Sequence, residues 1–394
     1  MSIFRFFREN YKSLIAGEAA GYAASTISLA AGVPIPGLVP TLFVTFAEHV
    51  LTSTAELPLS GSKYTKYLIQ DPFYINQVYA REDRIYGRLP YTFLADFIPV
   101  YAAGRPVTID IAPDDTPFRL QPPAPPLDAT VEEGVRAFKQ DRKRTHNSEV
   151  IRLNGVTERD DGIEIAIQRA QYDDQMRSNL ILDYGRDSGT SLRQSLNEEF
   201  DRKLPPVDEP RLANTIGLAA LIFFRDNGVL TPYFVPRTRE VAVFNYGAWH
   251  CTASGAAEWP RYFAETEKDF NAFILDDMYD ELREEAGLLP GDIENLVPLA
   301  LCRELVRAGK PQFFFIGFTK LTYRELTERM HEARNTALPQ AEPTETYRQP
   351  LFRFPSSAET EREVIAMFEG GGFTSEAAAL LHLCLRFIKA QNIS

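Results

Sequence analysis

Three glutamates with helical spacing are the residues of this chain best suited to metal chemistry. Glu281, Glu284 and Glu285 lie in the stretch Asp280-Glu281-Leu282-Arg283-Glu284-Glu285-Ala286-Gly287-Leu288. At about 3.6 residues per turn, the three side chains fall within an arc of about 100° on one face of a helix. Like charges at that spacing repel each other, and a hard divalent cation such as Mg²⁺ offsets the repulsion. The alternative is a solvated acidic face that ends in a glycine C-cap.

The elements around these glutamates alternate between apolar strands and amphipathic helices. Asn227-Gly228, placed between two apolar runs, predicts a β-hairpin. A long helix that carries the glutamates is predicted from Pro260 to Glu285. The other predicted strands are 149–155, 162–169, Ile216 to Phe224, Val229 to Pro236, Leu296 to Leu305 and Phe313 to Phe318, and the other predicted helices are Val131 to Arg142, Glu359 to Phe368 and Ser375 to Ala390.

This order resembles the Nudix hydrolase family over about residues 214–394. The family's motif is Gly, five residues, Glu, seven residues, then Arg-Glu-U-x-Glu-Glu-x-Gly-U, with U apolar. The three glutamates, Gly287 and both apolar positions match it. The resemblance implies an α+β fold, an α/β/α sandwich around a mixed sheet. It also implies that Glu281, Glu284 and Glu285 bind Mg²⁺, and that Glu284 and Glu285 are catalytic.

The match departs from the motif in three places. Asp280 replaces the motif arginine. From Gly255, the candidate loop glycine, to Glu281 there are twenty-six positions where the motif has fifteen, so the loop carries an insertion. Arg261 stands where the motif has its first glutamate. The box is therefore degenerate, and whether the chain is an enzyme stays open at this point.

A narrower resemblance links the chain to the SMODS-associated NUDIX domains of bacterial cyclic-oligonucleotide antiphage signalling. It is carried by Leu212 to Gly217, the polar stretch from Tyr172 to Asp183, and Gly309 to Phe315. The resemblance implies a domain that senses a cyclic oligonucleotide beside the inner membrane. Groups that pair with phosphates and stack on bases are available on the predicted rim of its pocket: Arg237, Arg239, Arg261 and Trp249.

The N-terminal segment is predicted to form an apolar helical hairpin. No charged side chain occurs from Ala19 to Ala47, a run of 29 positions interrupted by prolines around Gly37. A membrane span needs about 20 apolar residues. Two transmembrane helices within residues 14–52 are therefore one interpretation, with the N-terminus in the cytoplasm by the positive-inside rule. The other interpretation is a soluble helical hairpin in a cytoplasmic protein.

Composition limits the remaining possibilities. The formal net charge of −12 argues against a partner such as a nucleic-acid duplex, although a small nucleotide needs only a locally basic pocket. The three cysteines have no pairing pattern, which is typical of a reducing compartment. A proline-rich stretch ends near residue 126. We therefore predict a hairpin at 1–55, an aromatic stem and linker at 56–130, and a Nudix-like domain with an N-terminal extension at 131–394.

Three hypotheses follow. In the first, the chain is a receptor whose pocket binds a cyclic oligonucleotide, and binding drives assembly of the membrane hairpins into a homo-oligomer at the bacterial inner membrane, facing the cytoplasm. In the second, it is a Mg²⁺-dependent hydrolase that cleaves a nucleoside diphosphate linked to another group, because a bound cation lowers the pKa of its water. In the third, it is a scaffold in which the glutamate face is vestigial.

Overall fold

The computed structural model describes residues 67–142, 147–189, 191–226, 228–236, 248–337, 358–369 and 372–393. They belong to one compact unit, Tyr67–Ser394. The predicted helical hairpin within residues 14–52 lies outside these ranges. None of the helices that the structure describes combines the length and apolar character needed to cross a membrane.

A mixed six-stranded sheet forms the centre of the unit. Its strand order is β1-β10-β11-β5-β6, and β9 pairs with the first half of β5 beside β6. The β11–β5 pair is parallel, and the other neighbours are antiparallel. The strands are β1 Tyr91–Asp96, β5 Gly217–Asp226, β6 Val229–Tyr233, β9 Ala253–Ala256, β10 Ile293–Glu304 and β11 Lys310–Thr319. The predicted hairpin at residues 225–228 is confirmed, because β5 and β6 pair across it.

Helices are distributed along the whole unit. They are α1 Pro72–Val78, α2 Ile98–Ala102, α3 Leu127–Arg142, α4 Tyr172–Met176, α5 Leu192–Glu199, α6 Asp276–Ala286, α7 Tyr323–Ala337, α8 Ala358–Glu369 and α9 Ser375–Ala390. The predicted α+β class is therefore confirmed, and so is the helix predicted from Ser375 to Ala390.

The sheet has an apolar core on each face. The odd-numbered residues of β5, Ala219, Leu221 and Phe223, pack with α9. Its even-numbered residues, such as Ile222 and Phe224, pack with α6 and α7. Burial on both faces explains why β5 is a continuous apolar run rather than an alternating one.

A second sheet of three strands covers one end of the unit. β4 (Gly162–Gln171) is the central strand. β2 (Thr108–Asp114) runs parallel to β4, and β3 (Glu149–Arg159) runs antiparallel to β4. The Ile151 and Leu153 amides of β3 donate to carbonyls beside the main sheet, at residues 257 and 214. β1 and β2 belong to the segment 56–130, which was predicted to be a stem and linker. In the structure, β1 is a strand of the six-stranded sheet and β2 is a strand of the three-stranded sheet.

The helix predicted from Pro260 to Glu285 is wrong in its first half. Residues 261–266 form turns, a single π-helical turn spans Asn271–Leu275, and α6 follows it. The Asp269 side chain caps the start by accepting a hydrogen bond from the Ala272 amide at 3.0 Å. The preceding residues are instead held by aromatic packing, since Trp259 stacks on Phe263 at 5.0 Å.

A candidate carboxylate site between helix α6 and strand β9

Local signals in the sequence fix the position of α6. Met278, Leu282 and Ala286 recur every four residues and form its buried face against the sheet. The helix ends at Gly287, whose φ of 68° is left-handed, and the amides of Gly287 and Leu288 donate to the carbonyls of Arg283 and Leu282. This is a glycine C-cap of the αL type, in which the amide of the left-handed glycine donates to the carbonyl four residues earlier. The helix end predicted from Gly287 is therefore confirmed.

Glu281 and Glu285 approach β9 from successive turns of α6. A carboxylate oxygen of Glu285 accepts a hydrogen bond from the Ser254 amide at 2.8 Å. Glu281 lies against Gly255, because a Cβ built there would be only 1.5 Å from Glu281 Oε1. Glycine therefore lets the strand approach the carboxylate, and the loop glycine chosen from the sequence contacts the predicted metal face.

Two further acidic residues join this pair, and the sequence interpretation missed both. Asp277 lies one turn before Glu281, and its Oδ2 accepts a hydrogen bond from the Glu258 amide at 2.6 Å. Glu258 follows β9, and its charge acts on both Asp277 and Glu281. Four-residue spacing on α6 was a signal that could have identified Asp277. Glu258 had no such signal, because its place depends on how β9 crosses the helix.

The electrostatics of the cluster favour a bound cation. Burial, together with the neighbouring charge of Glu285, raises the pKa of Glu281 to about 8. Burial also raises the pKa of Asp277 to about 7, although the hydrogen bond from the Glu258 amide acts in the opposite direction. A hard cation would remove this penalty by neutralising the carboxylates. Carboxylate oxygens are the donors that Mg²⁺ prefers, although the described part of the chain does not bring three of these carboxylates close enough to share one ion.

The structure does not bring Glu284 into the same cluster. Its side chain is 71% exposed and lies 3.6 Å from the Arg283 guanidinium. Asp280, which replaces the motif arginine, also faces solvent and pairs with Arg283 at 2.7 Å. Of the three predicted metal ligands, Glu281 and Glu285 therefore contact β9, whereas the Glu284 side chain is exposed, although its charge also acts on Glu281.

The structure describes two of the four predicted nucleotide contacts, Arg261 and Trp249. Arg237 and Arg239 lie outside the described residues. Arg261 is exposed on the turn after Pro260, next to residues of the core on the α6 face. Trp249 is half-buried in β8 (Trp249–His250), which pairs with β7 (Val235–Pro236), and it packs on the α9 face. The two described contacts thus belong to segments on opposite faces of the sheet.

A polar relay connects Glu285 to the start of α9. His250 Nε2 lies 2.8 Å from Ser254 Oγ, and Nδ1 lies 2.8 Å from Thr374 Oγ1, the N-cap of α9. The His250 ring, Cys251 and Glu376 place one potential metal-binding atom each within 4.8 Å of one another. That set includes a nitrogen and a sulfur and so suits zinc rather than Mg²⁺. It therefore lends no support to the predicted Mg²⁺.

Comparison of the chain with models of known protein families gives no match, and comparison with curated proteins gives no significant relative.

Proposed function

We propose that this chain is a receptor that binds a cyclic oligonucleotide through a Nudix-like domain and acts at the bacterial inner membrane in antiphage defence. The observation that carries the proposal is the convergence of Glu281 and Glu285 on the β9 strand at Gly255. The helix, sheet, helix layers and the mixed sheet support the Nudix-like assignment. A divalent cation held by these carboxylates would supply positive charge for the phosphate groups that every oligonucleotide ligand presents.

Two features of the site favour binding over turnover. Glu284, which the family resemblance makes catalytic, faces solvent beside Arg283. Asp280 stands where the motif arginine would orient a glutamate, and it points away from the cluster. A site that keeps the cation-binding pair and lacks the third glutamate can hold a phosphodiester without placing a group to activate water.

The hydrolase is the second candidate, and the retained carboxylate pair is the observation that favours it. Glu281 and Glu285 both contact β9, so a Mg²⁺ ion held by this pair would keep open positions for other oxygen ligands. Such a cation supplies the Lewis acidity that the reaction needs. The residues of this chain would hold the cation, while Asp277 and Glu258 would orient its water.

The first experiment separates the two candidates with the full chain and Mg²⁺. The protein is incubated with cyclic di- and trinucleotides, nucleoside diphosphate sugars, ADP-ribose and dinucleoside polyphosphates, and mass spectrometry scores what is retained and what is cleaved. A cyclic species retained intact supports the receptor. Depletion of a diphosphate compound supports the hydrolase. If no compound is retained or cleaved, the scaffold hypothesis remains.

Two matched variants sharpen this experiment. Glu285→Gln removes the charge of a carboxylate that touches β9, so we expect retention, or turnover, to fall by a factor of ten or more. Glu284→Gln makes the same chemical change on the exposed side of the same helix turn, so we expect wild-type behaviour. Equal effects of both variants would contradict the assignment of the cation site.

The membrane part of the proposal rests on the uncharged run from Ala19 to Ala47. It is tested by fractionating cells that make the full chain or a chain lacking residues 1–55. We expect the full chain in the membrane fraction and the shortened chain in the soluble fraction. If the full chain also stays soluble, the receptor loses its proposed output.

A further inference from the structure

Three donor groups at the start of β11 lack acceptors. Gln312 is 2% exposed, and its Nε2 is buried without a hydrogen-bond partner. Arg307 Nε, in the turn before the strand, is also buried and unpartnered. Lys310 is 4% exposed, and its ammonium makes no hydrogen bond or ion pair with the described residues. A buried donor without an acceptor is costly, so two such atoms near an unpaired ammonium require an explanation.

The backbone shows where these donors lie. Gln312 of β11 pairs with Gly217 of the parallel strand β5. A Cβ built at Gly217 would be 2.3 Å from Lys310 Nζ and 2.1 Å from Gln312 Oε1, so both side chains fold over this glycine. Gln312 and Phe314 share a face of β11, and Phe314 packs in the α9-side core. The donors are therefore on the face of the sheet opposite the α6 carboxylates.

Small residues continue this surface away from Gly217. Ala219 follows on the same face of β5 and pairs with Ser254 of β9, and Gly217 pairs with Ala256. Ser254, Gly255 and Ala256 are also partly exposed, so a small ligand can reach the surface from the β9 side.

Neither of the two carboxylates near Lys310 forms an ion pair with its ammonium group. Glu304 is its cross-strand neighbour in β10, but the Glu304 carboxylate already accepts a hydrogen bond from Arg307 at 2.9 Å. Glu376 of α9 acts on Lys310 only through space. Burial, reinforced by the nearby Arg307 charge, lowers the pKa of Lys310 to about 8 against the opposing effects of Glu304 and Glu376. The ammonium is thus charged at neutral pH and short of negative charge.

We propose that Lys310, Gln312 and Arg307 form a binding site for the phosphoryl group of a small phosphorylated ligand, on the α9 face of the sheet. Every unsatisfied atom is a donor, so the missing partner must bring acceptors. A phosphoryl group brings three oxygens and a negative charge, and Lys310 needs that charge. Buried water would satisfy hydrogen bonds but would leave the charge of Lys310 uncompensated. This inference does not use the α6 carboxylates and stands apart from the proposed function.

Titration calorimetry of the full chain tests the site with inorganic phosphate, AMP and acetate at matched ionic strength and pH 7. We expect phosphate and AMP to bind and acetate to bind at least tenfold more weakly. Lys310→Met should weaken phosphate binding about tenfold or more, because it removes a charge-assisted hydrogen bond. Lys320→Met makes the same change at a side chain that is 86% exposed, so it should bind like the wild type.

Thermal unfolding supplies a second readout that a merely structural lysine would not produce. Lys310→Met should raise the unfolding temperature without ligand, because a buried unpaired charge is removed, and should lose the upward shift that phosphate gives the wild type. If that variant fails to fold, Gln312→Leu tests the same site, because it removes an unpaired donor and should also weaken phosphate binding.

Several outcomes would overturn the proposal. They are no binding of phosphate or AMP to the wild type, acetate binding as tightly as phosphate, and unchanged phosphate affinity in Lys310→Met or, if that variant fails to fold, in Gln312→Leu. Glu285→Gln separates this site from the carboxylate site, since we expect it to leave phosphate binding intact. A chain that does not retain a cyclic oligonucleotide can therefore still bind phosphate at Lys310. A chain that does not bind phosphate at Lys310 can still be a receptor.

Discussion

At the residue scale, the site on α6 is a set of carboxyls whose ionisation is opposed first by burial and then by neighbouring negative charge. Glu281 lies under Gly255, and Glu285 is held by the Ser254 amide, so neither side chain can turn to solvent without breaking a contact. Their mutual repulsion is built into the native state and is released on unfolding or by a bound cation. The pH dependence of stability therefore reports directly on this cluster.

In the absence of divalent cations, we expect the free energy of unfolding to decrease as the pH rises from about 5 to 9. The folded chain holds a proton on Glu281 up to a pKa of about 8, whereas the unfolded chain releases it near the ordinary value of 4.5. A raised pKa gives stability that is present at low pH and lost as pH rises through the folded pKa. Urea unfolding in EDTA across this range measures the slope.

Glu281→Gln should make this pH profile less steep and raise stability at pH 8, because the neutral amide needs no proton, while Asp277, whose pKa is raised to about 7, still contributes a slope. Mg²⁺ should stabilise the wild type at pH 8 through binding to the folded state, and should do so less in the variant. Glu284→Gln is the control, and it should change the profile less, because its exposed charge raises the pKa of Glu281 less than burial and Glu285 do. A slope as steep in Glu281→Gln as in the wild type would assign the whole titration to Asp277 or to another group.

At the element scale, the end of α6 depends on a single backbone position. Gly287 has a left-handed φ of 68°, and a Cβ there would be 2.4 Å from the Arg329 carbonyl oxygen of α7. Gly287→Ala combines the conformational cost of a side chain in this region with a steric clash. We expect the free energy of unfolding to fall by about 2 kcal/mol or more, as measured by urea denaturation.

Gly291→Ala provides the matched comparison for that variant. Gly291 lies four residues further along and does not have a left-handed φ, and a Cβ added there would meet no other atom within 4 Å. Its substitution should change stability by less than about 0.5 kcal/mol, as is usual away from special sites. Equal losses in the two variants would mean that the helix cap does not depend on glycine.

The end of α6 also shows which parts of the fold sequence can predict. Its last turn was predictable because the glycine cap and the four-residue apolar spacing act over a few residues. Its start was not, because the stacking of Trp259 on Phe263 holds the preceding turn through tertiary contacts. The pairing of β1 with β10 joins residues about two hundred positions apart, and no local pattern specifies such a partner.

The candidate site divides in the same way. Glu281 and Glu285 were predictable from helical spacing, but the outward turn of Glu284 depends on which part of α6 faces the sheet. Lys310 and Gln312 precede Phe314 on one face of β11 at two-residue spacing. The polar start of that face could therefore be predicted from the sequence. Their convergence over Gly217 could not, because it requires the parallel pairing of β11 with β5.

At the scale of the whole unit, a buried ion pair joins segments that are distant in sequence. The Asp183 carboxylate accepts hydrogen bonds from the Ile69 amide at 2.7 Å and from Arg193 at 2.7 and 2.8 Å. Arg193 also donates to the carbonyls of Leu305 and Val306, beyond β10. Both charged side chains are fully buried. The pair thus links the start of the described chain, α5 and the turn that precedes β11.

Asp183→Asn should therefore be among the most destabilising single substitutions in the unit. It leaves the Arg193 charge buried without its counterion, and breaking a buried pair in this way costs about 3–5 kcal/mol. Glu328→Gln, which breaks the exposed i,i+4 pair with Arg324, is the control and should cost less than about 1 kcal/mol. Urea denaturation of both variants measures the difference. Similar midpoints would show that water or a rearranged partner reaches Arg193, and that this pair does not hold the three segments together.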